Sequence, residues 1–140
     1  MRHATFTKLT TSQIEFMDVD QITALTSTQV RAMGTAQINA MSADQVAALG
    51  TEDIAALSVS NLSALTTTVL QALTSDQVVN MTNTQLKALT SDQLNILDVG
   101  DLVELDTAQI NQLTAAQVGT LDTAFIENMT TEQFSALSAT

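Results

Sequence analysis

The chain of 140 residues contains no cysteine, proline, tryptophan or tyrosine, four glycines, and one histidine, His3. Without cysteine there is no disulfide framework, thiol nucleophile or thiolate metal site, and redox chemistry gives no hint of compartment. Lys and Arg number only four against fifteen Asp and Glu, a net charge of -11. That balance argues against nucleic acid and anionic membrane surfaces, whose recognition rests on basic side chains. No apolar run is long enough to span a bilayer, and the opening Met1–Lys8 lacks the apolar stretch of a classical secretory signal. The glycines, Gly34, Gly50, Gly100 and Gly119, are scattered and form no phosphate-binding loop. What remains is an apolar share of 45% and a charged share of only 14%, so Thr, Ser, Gln and Asn must supply most of the polar surface.

These residues are strictly ordered. From Leu9 to Leu137 a Leu or Met recurs every eighth residue without a gap, followed at once by Thr, Ser, Asp or Gly. Five residues after each Leu or Met stands a second apolar residue, as in Ile14, Val30, Val78 and Ile126. With the Leu or Met as position 1, the consensus is Leu-Thr-x-x-Gln-Val-x-Ala, and sixteen octads fill residues 9–136. Residues 1–8 form an atypical first octad that keeps Met1 and Phe6 at its apolar positions, and residues 137–140 begin another. The chain reads as one repeat domain over 1–140.

The octad is a helix-start signal. A short side-chain oxygen at position 2 caps the free N–H groups of a helix N-terminus. Gln at position 5 completes a capping box, as in Thr26 with Gln29 or Thr74 with Gln77, and the flanking apolar residues, Leu25 with Val30, form a hydrophobic staple. A helix restarted every eight residues has about two turns and is not stable alone, so the units must stack. One continuous helix would drift its apolar seam by about 80° per octad. A strand would point the two apolar positions to opposite faces, although the β-branched content keeps a β-solenoid as the competing architecture. Met1, Met17, Met33, Met81 and Met129 lie multiples of sixteen apart, with Met41 off that series. This spacing suggests a two-octad unit, and the expected fold is an all-α solenoid of eight or nine short helical hairpins of sixteen residues.

Departures from the pattern are the candidate sites. Ala fills position 8 seven times running from Ala24 to Ala72, suggesting close helix approach, and becomes Ile96, Glu104, Gln112, Thr120 or Asn128 later. The alternative is a tolerant rim. Val79, Ile96, Val99 and Val103 add apolar groups, either as extra core or as an exposed strip for a partner. Asp98, Asp101, Glu104 and Asp106 are the densest acids, an oxygen-ligand set of the kind calcium takes. Against a calcium site, Asp98 and Asp106 stand at cap positions and Asp101 replaces the capping-box Gln. Most other acids, Asp20, Asp44, Glu52, Asp76, Asp92 and Glu132 among them, lie in a helix's first turn, where the dipole favours them. Catalysis finds no support: His3 sits beside Arg2 in the atypical octad, and pairs such as Asp18 with Asp20 lack surroundings that tune a carboxyl. No catalytic, cofactor-binding or metal residue is expected.

The segment Leu73-Thr74-Ser75-Asp76-Gln77-Val78-Val79 is similar to the first helix of transcription activator-like effector repeats. The likeness covers barely one octad: there is no room for that family's second helix and base-reading loop, and the acidic charge contradicts DNA binding. Residues 9–137 as a whole resemble octapeptide arrays of large bacterial surface and secreted proteins. That resemblance implies a structural or adhesive tract outside the cell and carries no site residues. The resulting expectation is a non-enzymatic extracellular scaffold, stalk or adhesive element. Its open ends, Met1 and Phe6 at one side and Leu137 at the other, would let copies self-associate head to tail into filaments. The competing function is a binding module with a Gln-, Asn- and Thr-rich face for a peptide or glycan.

Overall fold

A computed structural model describes residues 6–137. Among these residues there are sixteen α-helices and no strand. They are α1 (Thr11–Glu15), α2 (Val19–Thr23), α3 (Ser27–Ala32), α4 (Thr35–Asn39), α5 (Ala43–Ala48), α6 (Thr51–Ala56), α7 (Val59–Ser63) and α8 (Thr67–Ala72). Then follow α9 (Ser75–Val79), α10 (Asn83–Ala88), α11 (Ser91–Ile96), α12 (Val99–Leu102), α13 (Thr107–Asn111), α14 (Ala115–Gly119), α15 (Thr123–Asn128) and α16 (Thr131–Leu137). One helix per octad, in an all-α solenoid, is the architecture the capping pattern predicts.

Each corner is built from ordinary backbone. At Thr74 the cap residue is extended, with φ -83° and ψ 162°; its hydroxyl accepts from Gln77 N, and Gln77 Oε1 accepts from Thr74 N at 2.9 Å. Ten of the helices open with this two-way box, the others at Thr10, Asp18, Thr26, Ser42, Thr82, Thr90, Asp106, Thr114 and Thr130. The far end closes when the next position-1 amide donates to the position-6 carbonyl three residues back, as Leu25 N does to Ile22 O. No described residue has a positive φ. The left-handed C-terminal cap that usually demands glycine is absent, which is why four glycines suffice for the whole chain.

Positions 1 and 6 fill one continuous core running the length of the solenoid. Position 6 is the deepest: every such residue from Ile14 to Ile110 is at most 3% exposed. A 5-residue helix cannot bury its apolar stripe on itself, so the stacking supplies nearly all of its stability.

The packing unit differs from the expected hairpin. Each helix makes its main contacts with the helix three places on (α2 with α5, α3 with α6, α9 with α12, α13 with α16) and not with its immediate neighbour. Methionine burial follows the same arrangement: Met33, Met41 and Met81 are all 3% exposed, although Met41 lies off the sixteen-residue series. The sixteen-residue hairpin is therefore not the repeating element. A cap every eight residues turns the chain through a corner, and three to four corners bring it back over itself. Position 8 divides: Ala40, Ala48 and Ala72 are half-buried and pack on the core, while Ala24 and Ala64 are exposed and the exposed Glu104 and Asn128 later take the same position.

Candidate functional site

The chemistry of this chain is concentrated at the joints between turns. Gln77 is 2% exposed. While its Oε1 serves the capping box, its Nε2 donates to Val46 O at 2.8 Å and Leu49 O at 2.9 Å, 31 and 28 residues earlier. Gln45 does the same to Ile14 O and Met17 O, Gln85 to Ile54 O and Leu57 O, and Gln117 to Leu86 O and Leu89 O, all at 2.7–3.0 Å. Gln37, Gln93, Gln109 and Gln133 reach carbonyls of the same corners, 28 to 31 residues earlier, Gln109 only that of Val79. One amide thus satisfies a helix start and two backbone oxygens of the turn below. The spacing sets the superhelical turn at about 28 residues, or three and a half octads.

Where position 5 is shorter, a different bond takes over. Asn61 donates to Met33 O at 2.8 Å and its Oδ1 accepts from Thr35 Oγ1 at 2.9 Å. Asp53 accepts from Ser27 Oγ at 3.0 Å and Asp101 from Ser75 Oγ. In all three a hydroxyl stands 26 residues before the shortened side chain. Asp53 is 3% exposed, and burial raises its carboxyl pKa, opposed by its bonds from the Gly50 amide and the Ser27 hydroxyl; Glu52 pushes it further up. Val69 and Phe125 fill position 5 with apolar groups, 2% and 1% exposed. On the rim, Asn39 donates to Ala64 O and accepts from Thr66 N, and Asn95 pairs identically with Thr120 O and Asp122 N. The two asparagines are 56 residues apart, two full turns. No buried side-chain nitrogen or oxygen among the described residues lacks a partner.

Asp98 accepts from Gly100 N and Asp106 from Gln109 N, both as helix caps, Asp101 turns to Ser75, and Glu104 is exposed. The structure does not gather the four acids into a calcium site: among the described residues no group of three or more His, Asp or Glu is placed to hold a metal ion. Val79, Ile96 and Val103 are half-buried and pack on the core, as does Leu137. They are extra core rather than an exposed strip, and Val99 beside them is half-buried. Phe6 is not presented at an open end but buried, 1% exposed. Met1, with Arg2 and His3, lies outside the described residues.

The exposed apolar groups are others. Phe16 is 87% exposed and Val19 49%, on the outside of the first turn, and Ile126 and Phe134 are 37% and 56% exposed in the last. Phe16 is the one aromatic at position 8. Ile126 and Phe134 occupy core positions of their octads and are uncovered because no described octad lies over them. At the opposite end a hollow of about 230 Å³ is lined by Phe6, Met17, Gln21, Ala24, Leu25 and Gln29.

No helix of the described residues is long and apolar enough to cross a membrane. No curated protein and no solved structure matches the chain. A family model, the ALTTAQ repeat, does match, over residues 23–51 and again over 46–83. Those matches span the octads in which Ala-Leu-Thr or its near equivalents precede position 5, as in Ala24–Gln29 and Ala72–Gln77, and there the chain is similar to ALTTAQ repeats.

Proposed function

We propose that this chain is a non-enzymatic structural element, a scaffold or stalk segment of a bacterial cell surface or secreted assembly, with copies able to join head to tail. The observation that carries the reading is the use to which the polar residues are put. The buried glutamines of the consensus bind backbone of the adjacent turn, Asp53 and Asp101 take hydroxyl hydrogen bonds in the same joints, and the other carboxylates cap helices or lie on the surface, so among the described residues no convergent polar cluster remains for chemistry. Titratable groups matched to acid and base roles have no counterpart among the described residues. The extracellular placement rests on the resemblance to octapeptide arrays and on the acidic, cysteine-free composition.

The test is replacement in the native host. A scaffold tolerates exchange of residues 9–136 for an unrelated rigid solenoid of equal length, with surface display and host phenotype retained; loss of phenotype with display intact defeats the spacer reading. A second reading, a module that binds a peptide or glycan, is favoured by Phe16, whose ring is almost wholly in solvent beside Val19. It requires Phe16→Ala to abolish binding in a peptide and glycan array without changing helicity.

A further inference from the structure

Asp53 and Asn61 stand at position 5 of successive octads, each one carbon shorter than the consensus glutamine, and they share one frame. A hydroxyl 26 residues earlier donates to Oδ1 of each, Ser27 at 3.0 Å and Thr35 at 2.9 Å. The frames differ at the second atom. Asn61 Nδ2 donates to Met33 O at 2.8 Å, 28 residues earlier. The corresponding acceptor for Asp53 is Leu25 O, which meets no donor among the described residues. An ionised carboxylate has no proton to offer, and Oδ2 of Asp53 instead accepts from Gly50 N at 3.0 Å. The joint between α6 and the corner before α3 therefore lacks the backbone bond that Asn61 supplies one octad later.

We propose that Asp53 is a proton-operated joint: on taking up a proton at Oδ2 it donates to Leu25 O and ties the two turns together as Asn61 ties them at Met33. Oδ1 keeps the Ser27 bond, and the protonated oxygen retains a lone pair for the Gly50 amide. One proton is taken from water and no bond between heavy atoms changes. The surroundings favour that form. Asp53 is 3% exposed, and burial raises its pKa against the opposing bonds from Gly50 and Ser27. Glu52, its neighbour in the chain, pushes the same way. The charged side chains on the helices packed against α6 are Arg31 of α3 and Asp76 of α9; both are exposed and neither is bonded to Asp53. A group whose folded pKa is raised contributes fully below its unfolded value and loses that contribution as pH rises through the folded one. The joint thus closes on acidification and opens towards neutral pH, a response that a glutamine joint such as Gln45 does not have. It is the same whether the chain serves as scaffold or as binding module.

The experiment is carbonyl-carbon NMR of the full chain, titrated from neutral pH to about pH 3.5, which reads both ends of the new bond. The Asp53 carboxyl should titrate above the ordinary aspartate range, and the Leu25 carbonyl carbon should move at the same midpoint. The Met33 carbonyl carbon, already served by Asn61, should not follow it. In Asp53→Asn the Leu25 carbonyl should sit at its acid position throughout. Amide exchange in α6 should be about five-fold slower in that variant than in the parent at neutral pH, as expected of one added hydrogen bond, and equal at the acid end. A Leu25 carbonyl that stays still while Asp53 titrates overturns the proposal, as does an Asp53 that titrates in the ordinary range. An equal response of Leu25 in the parent and in Asp53→Asn also overturns it, because the titrating group is then another. Should Asp53→Asn fail to fold, the parent titration alone decides.

Discussion

If the second pair of hydrogen bonds made by each glutamine holds the turns together, Gln77→Glu should be costly where Gln13→Glu is not. Both substitutions leave a carboxylate oxygen to accept from the cap amide, and Glu is a normal residue of a capping box. At Gln13 the side chain is exposed and loses no protein acceptor, so the change should stay within about 0.5 kcal/mol of the parent. At Gln77 the Nε2 that donated at 2.8 and 2.9 Å becomes an oxygen facing two carbonyl oxygens in a site 2% exposed. Burial without a donor raises a carboxyl pKa by about two to three units. At 1.36 kcal/mol per unit this costs about 3–4 kcal/mol at pH 7, and the missing donor about 1 kcal/mol more. The raised folded-state pKa fixes the sign of the pH dependence. The deficit is largest above the folded value, shrinks as pH falls, and is smallest below the unfolded value near 4.3, where only the missing donor's roughly 1 kcal/mol remains. Thermal melts followed by circular dichroism at pH 7 and pH 4 measure it, each variant against the parent at the same pH. A midpoint drop of about 10 °C or more is expected for Gln77→Glu at pH 7. Equal midpoints for the two variants, or a gap that widens on acidification, would refute the assignment of inter-turn stability to these amides.

Asp53→Asn should stabilise at neutral pH. The parent carboxyl, raised by burial, contributes stability when protonated and loses it as pH rises through its folded pKa; the amide removes that loss and can donate as Asn61 does to Met33 O. A gain of about 1 kcal/mol at pH 7 that fades towards pH 3 in parallel melts is the expected result. Gly34→Ser supplies the cap oxygen that α4 lacks, at an extended backbone with room for a Cβ, and should add about 0.5–1 kcal/mol in urea titration. Phe125→Ala opens a cavity where the ring is 1% exposed and should cost about 3–5 kcal/mol, while Phe16→Ala, at 87% exposed, should leave the melt unmoved. Calcium at millimolar concentration should not shift the midpoint, because Asp98, Asp101 and Asp106 are already engaged with protein donors.

What the sequence made legible was whatever acts within one octad. Thr74, Gln77, Leu73 and Val78 announce a cap, a box and a staple because the groups that meet are three to five residues apart. The turn length was hidden by the same residue that revealed the helix: Gln77 shows its Oε1 role in local spacing, while its Nε2 role spans 28 and 31 residues and leaves no local mark. Methionine spacing misdirected the packing unit, since a flexible side chain fills any core position and Met41 is as deep as Met33. For the candidate site, Val79, Ile96 and Val103 were recognised as departures, but only stacking decides that they face inward. Phe16 shares position 8 with Ile96 and is 87% exposed where Ile96 packs on the core, a difference that period alone does not mark. The shortened side chains Asp53, Asn61 and Asp101 each had a Ser or Thr 26 residues upstream, a pairing recognisable only once the turn is known to be three and a half octads long.

That non-integral turn fixes a relation between length and direction. Each octad advances the chain by about 100° around the solenoid axis, and the same azimuth returns only after seven octads, as the matching contacts of Asn39 and Asn95 show. Adding or losing one octad preserves every cap and every position-5 joint but swings whatever lies beyond it to another side of the axis. In a tract of this kind the number of repeats specifies orientation as well as reach, so two tracts differing by a single octad present what they carry in different directions at almost the same distance.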